Sequence, residues 1–250
     1  MPKIATNVLA AIDGAILAGN TLTLVGQLKP KVYREVAKVI ELSGGKWNKK
    51  AKCHLFPGDA AEAIEPAILT GEIQNVKQDF GQFDTPRDVG EIVIAMAQIE
   101  AGMDVLEPSV GIGNLACLIE AVGGRITAFE IDINRAGAAM NRCKFSGGLH
   151  VRDFLAATPL PCFHRVVMNS PFAGQADIKH VMHATKFLLP GGRLVAIMSN
   201  GVSFRTNRLT LEFKAFLADH GGKITALPAD SFKSGGTSVN TVVVSLDMPS

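Results

Sequence analysis

From about Phe80 to the end, the chain alternates short apolar runs with longer amphipathic ones, and this alternation constrains its fold more than any other feature. Runs such as Asp104–Glu107, Arg125–Glu130, Arg165–Met168 and Arg193–Met198 have strand length and are mainly apolar inside their charged ends. Between them, Asn114–Val122, Ile133–Phe145 and Asp177–Leu188 carry apolar residues at helical spacing. Strands that are apolar on both faces and separated by helices belong to a parallel sheet covered on both sides. The pattern predicts a helix over Arg87–Ala101 before the first strand, and Leu149–Val151 as another strand. Helix Thr210–Asp219 and strands Lys223–Pro228 and Thr241–Ser245 follow. The α/β class expected is a doubly wound, seven-stranded sheet.

Residues 1–78 have a different texture, and a small N-terminal α+β module is expected there, ahead of the 79–250 domain. A helix over roughly Ile4–Leu17 and a strand at Leu22–Gln27 open it. A second helix begins at Pro30, suited to a first helical turn, and ends at Leu42 before Ser43-Gly44-Gly45. Strand Lys52–Phe56 and helix Asp59–Leu69 complete the module.

Composition excludes several classes. With 47% hydrophobic and 19% charged residues in 250, the chain is an ordinary globular sequence with material for a large core. No stretch approaches the ~20 apolar residues of a membrane span, and Asp13 interrupts the apolar N-terminal run, so a cytoplasmic protein is expected. The four cysteines, Cys53, Cys117, Cys143 and Cys162, form no C-x-x-C pair, which argues against a zinc cage and for reduced thiols. His180 and His183 lie three apart on a helix, but without a third ligand they read as an ordinary helix face, and no metal is expected.

Two segments carry chemistry. Val105-Leu106-Glu107-Pro108-Ser109-Val110-Gly111-Ile112-Gly113 runs from a strand through G-x-G into a helix, a turn that lets backbone approach a ligand closely. Glu130 ends the next strand, ~20 residues on, where an acid bonds ribose hydroxyls in dinucleotide-type sites. These residues alone leave a nicotinamide cofactor and S-adenosyl-L-methionine both open. The second segment, Val166-Val167-Met168-Asn169-Ser170-Pro171-Phe172, is an apolar strand ending in Asn-Ser-Pro-Phe.

This last segment resembles the catalytic loop of amino-group methyltransferases, written Asn-Pro-Pro-Tyr or Asn-Pro-Pro-Phe, with Ser170 where the family has proline. The other motifs of the family follow in order. Phe83-Asp84-Thr85-Pro86 resembles the segment that holds the methionine part of the cofactor. Glu107-Pro108-Ser109-x-Gly111-x-Gly113 is similar to the cofactor loop, and Phe129-Glu130-Ile131-Asp132 to the ribose and adenine contact. Arg152-Asp153-Phe154 resembles the segment whose acid meets the adenine amine and whose aromatic flanks the ring. The order matches gamma-type adenine-N6 DNA methyltransferases.

The resemblance covers about Phe80 to Leu246 and implies a Rossmann-like class I methyltransferase fold with a reversed final strand. It implies S-adenosyl-L-methionine as cofactor and duplex DNA, with a flipped-out adenine, as substrate. Asn169 and the Ser170 carbonyl would hold the target amine, Pro171 would shape the loop and Phe172 would stack on the base. The same loop also serves glutamine-N5 and RNA guanine-N2 methyltransferases. A degenerate fold kept as a binding module is the reading from a different class.

Nucleic-acid contacts are expected at three places. Between Lys29 and His54 eight basic residues face two acidic ones, with Trp47 inside Lys46-Trp47-Asn48-Lys49-Lys50. This segment resembles N-terminal modules of phage-type methyltransferases. The loop Asn200–Arg208 carries Arg205 and Arg208, and Lys233 begins a glycine-rich turn. No large recognition segment follows the last strand, so a short or relaxed target sequence is expected.

Overall fold

The computed structural model describes residues 3–71, 83–228, 231–232 and 239–250. The chain divides into two compact units, Met1–Phe80 with Asn200–Leu211, and Gly81–Ser199 with Glu212–Ser250.

In the first unit the elements run α1 (Thr6–Asp13), β1 (Ile16–Ala18), β2 (Thr21–Thr23), α2 (Pro30–Leu42), β3 (Lys46–Asn48), β4 (Cys53–Leu55) and α3 (Ala60–Thr70). The strands form an antiparallel sheet of order β1-β2-β4-β3. The helix expected to reach Leu17 stops at Asp13, because Gly14 caps it and Ile16–Ala18 turn back onto Thr21–Thr23 through Gly19 at φ +55°. Helix α2 begins at its proline as expected and buries Val36, Val39 and Ile40 on one face. Helix α3 is capped by Asp59, whose carboxylate accepts from the N–H groups of Ala61 and Glu62, and ends at left-handed Gly71. These faces meet in a core of Val8, Ile12, Leu22, Ile40, Phe56 and Ile64, against which Phe204 of α8 (Gly201–Phe204) also packs.

The second unit begins with α4 (Arg87–Ala97), which ends four residues earlier than expected, at a left-handed Gln98. The sheet strands are β5 (Asp104–Glu107), β6 (Arg125–Glu130), β7 (Gly148–Val151), β8 (Phe163–Asn169), β9 (Leu188–Ser199), β10 (Lys223–Ala226) and β11 (Thr241–Asp247). Helices α5 (Asn114–Ala121), α6 (Ile133–Met140) and α7 (Ala176–Ala184) lie between them in sequence, and α9 (Arg208–Asp219) follows α8. The strand order is β10-β11-β9-β8-β5-β6-β7. Strands β5 to β9 pair in parallel, whereas β11 is antiparallel to both β9 and β10. This is the seven-stranded, doubly wound sheet with the reversed final strand.

Val105, Leu106, Ile126, Ala128, Val166, Val167, Met168, Val195 and Ile197 are completely buried, as strands covered on both faces require. Strands β5, β6 and β8 each end on a polar residue, Glu107, Glu130 and Asn169, at the same edge of the sheet. A ligand crevice forms at this edge in open α/β sheets.

Candidate active site

A cavity of about 270 Å³ opens in the second unit at the carboxyl ends of β5, β6, β7 and β8. Of the residues expected to act there, Phe83, Thr85, Glu107, Pro108, Ser109, Gly111, Glu130, Ile131, Asp153, Phe154, Asn169, Ser170, Pro171 and Phe172 line it. Segments from 83 to 172 in sequence thus meet at one place.

The turn after β5 owes its shape to its glycines. Gly111 has φ +57° and Gly113 φ +88°, backbone that side chains with a Cβ rarely adopt. A Cβ on Gly113 would lie 3.3 Å from Ala139 and Cys143, so this glycine also permits α5 and α6 to approach. Glu130 ties the turn to β6: one carboxylate oxygen accepts from the Gly111 N–H at 2.8 Å, the other from the Asp132 N–H at 3.0 Å. Half of its acceptor capacity remains for a ligand.

Glu107 is 1% exposed, and its Oε2 has no hydrogen-bond partner among the described residues. Burial, and secondarily the nearby Glu130 carboxylate, hold its carboxyl well above the usual range. A buried acid with an unused oxygen in a cavity wall suits a cationic or donor group on a ligand.

The amide of Asn169 is locked. Its Nδ2 donates to the Phe83 carbonyl and to the Thr85 hydroxyl, both at 3.0 Å. The carbonyl can only accept, so the amide orientation is determined and Oδ1 is the atom left for a ligand. Thr85 is itself held, since its carbonyl accepts from Asn114 Nδ2 at 2.8 Å.

Several expected residues have other tasks. Phe172, expected to offer an open ring to a base, is 1% exposed and stacks on Phe83 at 6.1 Å. Burying that much aromatic surface stabilises the loop more than leaving it open would. Ser170 is 3% exposed, and its Oγ has no partner among the described residues. Pro86, Gly113 and Asp132 do not line the cavity. Pro86 precedes α4, Gly113 precedes α5, and the Asp132 carboxylate caps α6 by accepting from Asn134 and Arg135. Asp153 does line it, while its Oδ1 accepts from the Leu155 N–H at 2.9 Å.

Arg205 requires a correction. Expected at a nucleic-acid surface, its side chain is 2% exposed, with Nε 2.8 Å from Asp13 and Nη2 3.3 Å from Glu65. Its charge is spent inside the first unit, where it pairs with the buried carboxylate of Asp13 and the half-buried one of Glu65. Arg208 is exposed, and Lys233 lies outside the described residues. Lys46, Trp47, Lys49 and Lys50 are all exposed. Their segment is strand β3 and a hairpin tip, where Asn48 Oδ1 accepts from the N–H groups of Lys50 and Ala51. Trp47 faces His54 across the hairpin, edge to face at 5.1 Å.

Sequence reasoning missed Arg135, which pairs with Asp84 at 2.6 Å in the cavity wall, and His180. A signal for His180 existed: Asp177, His180, Val181 and Ala184 recur at the three- and four-residue spacing of one helix face, and all are buried. Among the described residues no group of three or more His, Cys, Asp or Glu is placed to hold a metal ion, and no helix is long and apolar enough to cross a membrane. All four cysteines are free.

No protein-family profile matches the chain, and no curated protein does. Solved structures do. A type I restriction-modification system methyltransferase subunit from Streptococcus thermophilus is 20% identical with a TM-score of 0.58, over 76% of this chain and 48% of that one. A protein assigned as a type I restriction enzyme modification subunit, from Vibrio vulnificus, is 16% identical with a TM-score of 0.55, over 76% and 49%. A protein assigned as an RNA methyltransferase, from Pyrococcus horikoshii, is 18% identical with a TM-score of 0.51, over 74% and 97%. The chain spans about half the length of the first two. The fold is the Rossmann-like class I methyltransferase fold.

Proposed function

We propose that this chain transfers a methyl group from S-adenosylmethionine to the exocyclic N6 amino group of adenine in DNA. The observation that carries the reading is the clamped amide of Asn169, which leaves Oδ1 as a fixed acceptor in the cavity at the end of β8. The acids around it suit the cofactor. Glu107 has an unused oxygen for an ammonium, Glu130 has spare acceptor capacity for ribose hydroxyls, and Asp153 and Phe154 offer an acceptor and a ring edge to a purine. When bound, S-adenosylmethionine supplies a methyl carbon made electrophilic by its sulfonium.

The residues of the chain do the rest. An aromatic amine is a weak nucleophile because its lone pair is delocalised into the ring. Asn169 Oδ1 and the Ser170 carbonyl accept its two N–H groups, localise the lone pair on nitrogen and aim it. Alkylation by the methyl group that S-adenosylmethionine would supply would place growing positive charge on the amine nitrogen. The same two oxygens stabilise it without having to reorganise, and the surplus proton leaves to water. Stacking of the target base on Phe172 requires that ring to part from Phe83, so base entry and loop movement are coupled. In the first unit, the lysines and Trp47 of the β3–β4 hairpin and Arg208 would contact a nucleic-acid partner.

The test incubates the protein with labelled S-adenosylmethionine and unmethylated duplex DNA, then separates the nucleosides by mass. Labelled N6-methyladenine, absent with Asn169→Ala, is the expected result. Label in RNA or in a protein glutamine amide, with none in DNA, overturns the choice of substrate.

A further inference from the structure

His180 stands in the cavity wall beside Asp153 and Phe154, three residues from two different segments that converge at the end of β7. Its ring is held in two ways. It stacks on Phe154, with centroids 6.0 Å apart and planes at 28°, and Phe154 is in turn wedged among Phe129, His183 and Phe187. Its Nδ1 lies 2.8 Å from the carbonyl oxygen of Ala176, one turn earlier on α7. A carbonyl only accepts, so Nδ1 carries the hydrogen. The neutral ring then presents a bare lone pair on Nε2. Among the described residues, no group of the protein hydrogen-bonds Nε2.

We infer that His180 is a specificity-determining contact at the purine end of the cavity, accepting through Nε2 a hydrogen bond from the exocyclic amine of the cofactor's adenine. The inference rests on the S-adenosylmethionine reading above. An adenine amine has two hydrogens, and this end of the cavity offers two acceptors, Asp153 and the fixed imidazole. A ligand with an oxygen at that position would set lone pair against lone pair on both.

The groups facing the imidazole are consistent with a neutral ring. Burial holds His180 below the usual histidine range, helped by the like charges of His183 and Lys179 on its own helix. The Asp153 carboxylate and the Ala176 carbonyl pull the other way without reversing it. In acid the ring gains a proton, Nε2 becomes a donor, and the contact turns from favourable to repulsive.

The experiment measures affinity for S-adenosylhomocysteine, and for its analogue with hydrogen in place of the 6-amino group, by titration calorimetry. The protein is compared with His180→Phe, which keeps a ring against Phe154, and His180→Gln, which keeps an acceptor. The wild type should prefer the amino compound, and His180→Phe should lose about tenfold of that preference, the scale of one hydrogen bond to a buried acceptor. Affinity for the deamino analogue should stay the same in His180→Phe, which separates the contact from a folding defect. His180→Gln should keep most of the preference. The wild-type preference should fall in acid, and that of His180→Phe should be flat with pH. An equal preference in the wild type and His180→Phe overturns the inference while leaving the cofactor reading intact. Failure of the wild type to bind either compound overturns both.

Discussion

Asn169 Nδ2 donates to Thr85 Oγ1 across 3.0 Å, joining the end of β8 to a segment 84 residues earlier in the chain. The pair explains why Thr-Pro and Asn-Ser-Pro-Phe belong to one device. Thr85 is expected by resemblance to touch the cofactor. Its hydroxyl also stops the Asn169 amide from rotating.

This separates two roles for Thr85. Thr85→Val removes the acceptor and keeps the shape, leaving only the Phe83 carbonyl to orient Asn169. A fall in kcat of roughly tenfold is expected, the scale of one missing hydrogen bond, with cofactor affinity nearly unchanged. A variant with weakened cofactor binding and normal kcat would assign Thr85 to the cofactor alone. Steady-state kinetics with calorimetry decide.

Glu107 makes stability depend on pH with a definite sign. Burial raises its folded-state pKa above the unfolded value, so the folded state holds the proton more tightly. The stability this gives is complete below the unfolded pKa of about 4.5 and is lost as pH rises through the folded value. Glu107→Gln should therefore melt higher than the wild type in neutral buffer, and the difference should shrink towards pH 4. A difference that is constant with pH would mean that the carboxyl titrates alike in both states. Saturating cofactor should reverse the order at neutral pH, by giving the charged carboxylate a partner.

Arg205 is expected to matter for folding and not for DNA. Arg205→Ala leaves Asp13 and Glu65 without their cation inside the first unit, and breaking such a buried arrangement costs about 3–5 kcal/mol. Denaturant melts should show this loss, and DNA affinity of the folded fraction at low temperature should be unaltered. Asp13 already shows the strain of the site: burial, more than any charge, pushes its carboxyl up despite the guanidinium beside it.

The hairpin lysines should act through phosphate. Replacing Lys46, Lys49 and Lys50 by alanine should weaken DNA binding evenly across sequences. The dependence of log affinity on log salt should flatten by up to roughly 0.9 for each phosphate that is no longer neutralised. Trp47→Ala should weaken binding with little change in that slope, since stacking releases no counterions. Unchanged affinity in the lysine variant would move the nucleic-acid face elsewhere.

The sequence alone determined the parts of this protein that depend on local periodicity. Alternating apolar strands and amphipathic helices specified the doubly wound sheet, because a strand buried on both faces can only be apolar throughout, as Val166 to Met168 are. The glycine turn was readable for a similar reason, since positive φ at Gly111 and Gly113 is a property of single residues. The short strands at Ile16–Ala18 and Lys46–Asn48 were not readable, because three residues carry no period and exist only through their partners β2 and β4. Tertiary structure also decided which polar residues serve the site and which serve the fold. Arg205 and His180 each sit in sequence where an exposed side chain is the default. One pairs with two acids inside the first unit and the other enters the cavity wall, because the segments that surround them come from distant parts of the chain. Burial and partnership are sums over such neighbours, and only folding brings them together.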